Sequence, residues 1–128
     1  MKLRIKGNSI RLRVDRKDLA TLIERGRVEE ALRFGPGADS AFVYALELGE
    51  APRGGPSATY HDGALTARLD RRDAEEWAGD DDRVGFERLQ EVDGGGVRIL
   101  IEKDFGCLDR PAGHDDDAHA FPNPSASC

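Results

Sequence analysis

Two cysteines, two histidines and a run of aspartates crowd the last 22 residues of this 128-residue chain. Cys107, His114, Asp116, His119 and Cys128 offer two sulfurs, two imidazoles and a carboxylate. Those are the donors that zinc or a similar transition metal gathers into a tetrahedron. No Cys-x-x-Cys occurs, so the spacing is not that of a zinc finger, and a metal site would need the tail to fold back on itself. A Cys107–Cys128 disulfide is a competing use, stabilising by roughly 3 kcal/mol on the chain-entropy view but opposed by a reducing cytosol. Two independent thiols are the third option, and the residues alone leave all three open. Asp115-Asp116-Asp117 suits a hard cation in charge, yet the glycine and terminal glutamate of a calcium loop are missing, so a solvated acidic run is the plainer reading. Asp80-Asp81-Asp82 reads the same way.

The opposite charge stands at the other end. Lys2, Arg4, Lys6, Arg11 and Arg13 alternate with apolar residues along two stretches, a period that places them on one face of a pair of strands. Such a face could contact phosphates in an antitoxin- or transcription-regulator-like nucleic-acid binder. The plainer alternative is an outward sheet face carrying charge to discourage edge pairing. Residues 1–35 hold ten Lys/Arg against five Asp/Glu, so with a net charge of −6 the remainder carries −11. That acidic balance argues against nucleic acid as the partner, because phosphate neutralisation supplies most non-specific affinity.

Catalytic spacings are missing. There is no Gly-x-Ser-x-Gly and no His-Glu-x-x-His, and His61 has no Ser or Cys placed by sequence to serve as its nucleophile. Gly94-Gly95-Gly96 lacks the Gly-Lys-Ser/Thr of a phosphate loop and precedes a strand, where that motif needs a helix N-terminus. Trp77 reads as a core residue. These residues point away from an enzyme.

The elements that must position all this occur twice. Arg13-Val14-Asp15-Arg16-Lys17-Asp18 returns 55 residues later as Arg68-Leu69-Asp70-Arg71-Arg72-Asp73, and Tyr44-Ala45-Leu46-Glu47 faces Ile99-Leu100-Ile101-Glu102 at the same offset. The patterning predicts strands over 2–6, 10–14, 28–34 and 41–48, then over 57–61, 64–69, 83–90 and 97–103. Asp15 and Asp70 are predicted N-caps, each with an aspartate three residues on, and Gly26 and Gly79 end the two helices. The expectation is an α+β, mostly-β domain over 1–106, built from a duplicated β-β-α-β-β unit (about 2–48 and 57–103), followed by an acidic Cys/His/Pro tail over 107–128.

The strand ending in Gly7-Asn8-Ser9, the alternating Ile10-Arg11-Leu12-Arg13-Val14 and the capped helix resemble the AbrB/MazE-type swapped-hairpin, cradle-loop-like barrel. That family pairs two such units from two chains, so the resemblance implies a pseudo-symmetric barrel made within one chain. It departs from the family at the helix entry, where Asp15 and Asp70 stand in place of a proline. Over nearly its whole length the chain also resembles a family of small bacterial proteins of unknown function, through Arg4-Ile5-Lys6-Gly7-Asn8-Ser9-Ile10-Arg11, Glu102-Lys103-Asp104-Phe105, Cys107-Leu108-Asp109, Asn123-Pro124 and Cys128. That likeness implies no activity.

The function expected from these residues is a small cytoplasmic, non-catalytic binding or scaffold protein with a protein partner, monomeric or weakly dimeric. A transition metal such as zinc in the tail is its candidate cofactor. The opening Met1-Lys2-Leu3-Arg4 lacks the apolar run of a signal peptide, and no stretch is apolar enough to span a bilayer.

Overall fold

The computed structural model describes residues 1–105 and Phe121. In chain order the elements are β1 (Lys2–Lys6), β2 (Ser9–Val14), α1 (Arg16–Arg25), β3 (Arg27–Arg33), β4 (Ala41–Leu48), β5 (Ser57–His61), β6 (Ala64–Leu69), α2 (Arg71–Ala78), β7 (Gly85–Val92) and β8 (Gly95–Lys103). The mostly-β character follows from period-2 alternation. Ile10, Leu12 and Val14 are buried on β2 while Ser9, Arg11 and Arg13 between them are not. At the Asp62-Gly63 turn both residues have positive φ (49° and 76°), the combination a two-residue hairpin connection requires.

The helices start where the aspartates predict. Asp15 accepts from the Asp18 N–H at 2.8 Å while Asp18 Oδ2 accepts from the Asp15 N–H at 3.1 Å, a complete capping box. The Asp18 N–H holds the Asp15 carboxyl below its ordinary value. Asp70 also accepts from the Asp73 N–H, at 3.2 Å, but Asp73 does not reciprocate. Its buried carboxylate turns instead to Arg53 Nε (3.1 Å) and the Gly54 N–H (2.6 Å), pinning the 49–56 linker to α2. Gly26 closes α1 with φ of 80°.

The eight strands form two four-stranded sheets, β1-β2-β8-β7 (sheet I) and β3-β4-β6-β5 (sheet II). Each sheet joins one hairpin from the first half of the chain to one from the second. The central contacts are parallel, β2 with β8 and β4 with β6. Between the sheets and helices lies one core of Ile10, Leu12, Val14, Leu22, Leu46, Leu69, Trp77, Phe86, Ile99 and Ile101. Burying each large aliphatic or aromatic side chain there contributes roughly 1.5–3 kcal/mol. Trp77 meets the Phe86 ring edge-on, with centroids 5.3 Å apart, and its indole N–H donates to the Val84 carbonyl at 3.3 Å.

The closed barrel expected from the sequence is corrected here. Closure would need backbone ladders between β5 and β7 and between β1 and β3, and side chains occupy both seams. At the β5/β7 seam, Gln90 Oε1 accepts from the Ala58 N–H and Gln90 Nε2 donates to the Ala58 carbonyl, both at 2.9 Å, so one side-chain amide stands in for a strand. Arg88 donates to the Pro56 carbonyl at 3.1 Å. At the β1/β3 seam, the Met1 ammonium lies 2.9 Å from Asp18 and 3.1 Å from Glu30, and the Tyr44 hydroxyl donates to Glu30 at 3.0 Å. Burial pulls the ammonium pKa down, but its bonds to Asp18 and Glu30 outweigh this and leave it raised. The same ammonium bond, helped by Tyr44, lowers Glu30 against the opposing effect of burial. Burial, then the bond to Glu30, raises Tyr44.

Strand boundaries shift by one residue at β2 and β3 and by two at β7 and β8. β7 starts at Gly85 rather than at 83, because residues 80–84 are tied up in turn bonds from Arg83 N–H to the Asp80 carbonyl and from Asp80 N–H to the Trp77 carbonyl. β8 begins at Gly95, inside the glycine run, because the Asp93-Gly94 turn already reverses the chain.

Candidate binding face

The five basic residues singled out by alternation come together. Lys2 lies opposite Arg13, and Arg4 opposite Arg11, with Lys6 opposite Ser9. Directly opposed residues share a sheet face, and Ile10, Leu12 and Val14 point to the core, so all five cations project outward. Successive cations on one strand are then about 6.7 Å apart. Sheet pairing adds a sixth that the alternation argument missed. Ser9 lies beside Arg98 in the parallel β2/β8 contact, which sets Arg98 and Leu100 in the same face. The Val97-Arg98-Ile99-Leu100-Ile101 alternation marks Arg98 as outward, but nothing local tells which strand it will flank.

Arg4, Lys6, Ser9, Arg11, Arg98 and Leu100 line a shallow depression of about 160 Å³ in this face. Its charges are partly balanced. Glu102 Oε1 lies 3.6 Å from Arg11 Nε and its Oε2 lies 4.0 Å from Arg13 Nε, while Arg98 pairs with Glu87 on β7. Lys2 Nζ reaches Asp104 at 2.9 Å, and Arg4 and Lys6 are likewise partnered. The Ser9 hydroxyl donates to the Lys6 carbonyl at 2.7 Å, which occupies it in the turn.

Sheet II supplies an internal reference. Its registers repeat those of sheet I at an offset of 55: Ser57 opposes Arg68 as Lys2 opposes Arg13, and Val43 flanks Ala64 as Arg98 flanks Ser9. At the places of Lys2, Arg4, Lys6, Arg11 and Arg98, sheet II carries Ser57, Thr59, His61, Thr66 and Val43. Two like-charge pairs face each other across β1/β2, an arrangement that destabilises a sheet, where β5/β6 has a favourable Thr59–Thr66 pair. Sheet II also satisfies Glu47 from its own edge, with Arg27 Nη1 at 2.7 Å. The matching edge position in sheet I is Gly85, and Glu102 turns to β2 instead.

His61 is exposed at the β5 end, opposite Ala64 and 3.1 Å from the equally exposed Asp62. The tail candidates for a metal or a disulfide, Cys107, His114, Asp116, His119 and Cys128, lie outside the described residues. Among the described residues no group of His, Cys, Asp or Glu is arranged to hold a metal ion, and no helix is long and apolar enough to cross a membrane. Phe121 is 95% exposed, so the described residues give it no apolar anchorage.

A model described as "Family of unknown function (DUF7009)" matches residues 1–125. No curated protein and no solved structure matches the chain.

Proposed function

Since the chain belongs to that family of unknown function, we propose its role from the site itself: a non-catalytic binding protein that uses the outer face of sheet I to hold an extended acidic segment of a protein partner. One observation carries this reading. On two sheets of matching register, only sheet I loads the matched outward positions with Lys2, Arg4, Lys6, Arg11 and Arg98, and it does so across like-charge pairs that cost stability. The cations are partly balanced by Glu102, Asp104 and Glu87, yet they stand where the other sheet carries Ser, Thr and Val, and this asymmetry supports a role in binding. Their spacing along β1, about 6.7 Å, equals that of alternate side chains in an extended peptide.

A polynucleotide has a similar phosphate repeat and is the second reading. Two features favour the acidic peptide. The face presents no aromatic platform among the residues named here, whereas single-strand binders stack bases on aromatic rings. The net charge of −6 repels a long polyanion beyond the face itself.

The test is fluorescence anisotropy of labelled deca-glutamate at low salt. The wild type should bind, and the variant R4T/R11T/R98V, which installs the sheet II residues, should bind at least tenfold more weakly. Equal binding by the two proteins would overturn the face as the site. Tighter, salt-steep binding of an oligothymidylate than of deca-glutamate would instead favour the nucleic-acid reading.

We also infer that the scaffold is a duplicated, hairpin-exchanged unit of the AbrB/MazE type. The recurrence of the β1/β2 and β2/β8 registers in β5/β6 and β4/β6 supports it. Chains 1–50 and 51–128 should then fold only when mixed, and independent folding of either would refute the exchange.

A further inference from the structure

We propose that the hollow over Ser9 in the sheet I face is a phosphoryl-binding site, and that the partner's acidic segment is held there through one phosphorylated side chain. The site rests on the binding reading of the face above and narrows its ligand from an acidic segment to a phosphorylated one. Sheet pairing sets the geometry. Ser9 lies opposite Lys6 of β1 and beside Arg98 of β8, while Arg11 follows on its own strand with Arg4 across from it. Four long cationic side chains thus surround one short residue, and with Leu100 they line the depression of about 160 Å³. Drug-sized ligands take roughly 300–1,000 Å³, so this hollow suits a single group rather than a whole small molecule. Sheet II again gives the reference. Ala64 holds the place of Ser9, beside His61 and Val43, and Thr66 and Thr59 hold those of Arg11 and Arg4.

The charges already present decide between a carboxylate and a phosphoryl group. Arg98 pairs with Glu87, and Glu102 lies 3.6 Å from Arg11 and 4.0 Å from Arg13. An arriving glutamate side chain exchanges one carboxylate for another, with little net gain. A phosphomonoester carries about −1.5 to −2 at neutral pH and presents three acceptor oxygens, so it draws on several cations at once. Arginine is suited to that, since its planar fork meets phosphate oxygens two at a time. The Arg11–Glu102 separation exceeds hydrogen-bond length, so Arg11 can turn to a phosphate without breaking a hydrogen bond to Glu102. Binding therefore follows the phosphorylation state of the partner. The unmodified acidic segment is held weakly along the row of cations, and the modified one is anchored at its phosphoryl group.

The experiment measures fluorescence anisotropy of labelled deca-glutamate and of the same peptide with one central glutamate replaced by phosphoserine, on the full chain at neutral pH and low salt. The wild type should bind the phosphoserine peptide about tenfold more tightly than deca-glutamate. R98V and R11T, each installing the sheet II residue, should weaken both peptides and bring their affinities within about twofold of each other. The ratio is read on one protein at a time, so a general loss of fold or charge cancels from it. Equal binding of the two peptides by the wild type, or an undiminished ratio in both variants, overturns the phosphoryl site and leaves the acidic-segment reading standing. Binding of the phosphoserine peptide with none of deca-glutamate upholds the site and overturns the wider acidic-segment reading, and failure of both peptides overturns both. Sodium phosphate that competes as well as the phosphoserine peptide, or a 5′-phosphorylated oligothymidylate that binds more tightly, would make a free anion or a nucleic acid the ligand and overturn the phosphorylated segment.

Discussion

Sheets I and II are built on matched strand registers and differ in what they do with them. The matched face of sheet II is small and neutral at its centre, where Ala45 and Thr66 are buried between Val43 and Thr59, and an ion pair from Arg27 to Glu47 is satisfied between neighbouring strands. Sheet I sets cation against cation and draws Glu102 away from its own edge to offset them. The seams diverge too. Gln90 completes the edge of β5, whereas Leu32 occupies the matching place beside β1 and leaves a side chain 52% exposed. The comparison teaches that backbone pairing can be kept constant while the surface charge and the edge contacts of the two copies diverge.

The largest effect that could break this comparison lies at the edge position facing the shared glutamate. A Cβ on Gly85 would collide with the Ile101 carbonyl oxygen, which is backbone and cannot swing aside. Gly85→Ala should therefore cost about 3 kcal/mol in urea unfolding, while Arg27→Ala at the matched position of sheet II should cost under about 1 kcal/mol. Similar losses at both would show that the two edges are not specialised.

Next in size is the seam. Gln90→Leu removes two hydrogen bonds and leaves the Ala58 N–H and carbonyl without their partner, an expected loss of about 1.5 kcal/mol. Leu32→Ala, exposed and without such bonds, should change stability by about 0.5 kcal/mol or less. An unaffected Gln90→Leu midpoint would mean that the amide is not acting as a substitute strand.

Proton linkage separates the seams further, because among the described residues the ion pairs lie at the β1/β3 seam, while Arg88 at the other seam bonds a neutral carbonyl. Glu30 titrates below its ordinary 4.5, so its contribution is present above that value and is lost as pH falls through the lowered folded pKa. The Met1 ammonium titrates above its ordinary 8.0, so its contribution is complete below pH 8.0 and is lost as pH rises through the raised folded pKa. The stability gap between wild type and Glu30→Gln should thus be widest near pH 6–7 and close at both extremes. A gap independent of pH would refute the ion-pair account.

The smallest expected effect sharpens the comparison most. R4T/R11T places the sheet II pair into sheet I and should leave stability within about 0.5 kcal/mol of wild type, or raise it, as the like-charge pair disappears. A loss above about 1.5 kcal/mol would show that the cations hold the sheet together after all.

Much of this was legible in the residues themselves. Period-2 alternation marked β2, β4, β5 and β6 closely, since one buried and one solvated face leave a local imprint at every second position. Aspartate caps and glycine stops bounded α1, because the groups they satisfy lie within four residues. The five cations of β1 and β2 could be placed on one face for the same reason. Tertiary structure alone decided the rest. Which hairpin flanks which is a parallel pairing of strands 89 positions apart at Ser9 and Arg98, and no local preference encodes a contact whose loop-closure entropy is met only by the assembled core. So Arg98 joined the basic face, Gln90 became a surrogate strand and Asp73 left its capping box for Arg53 only once the second half of the chain had packed against the first.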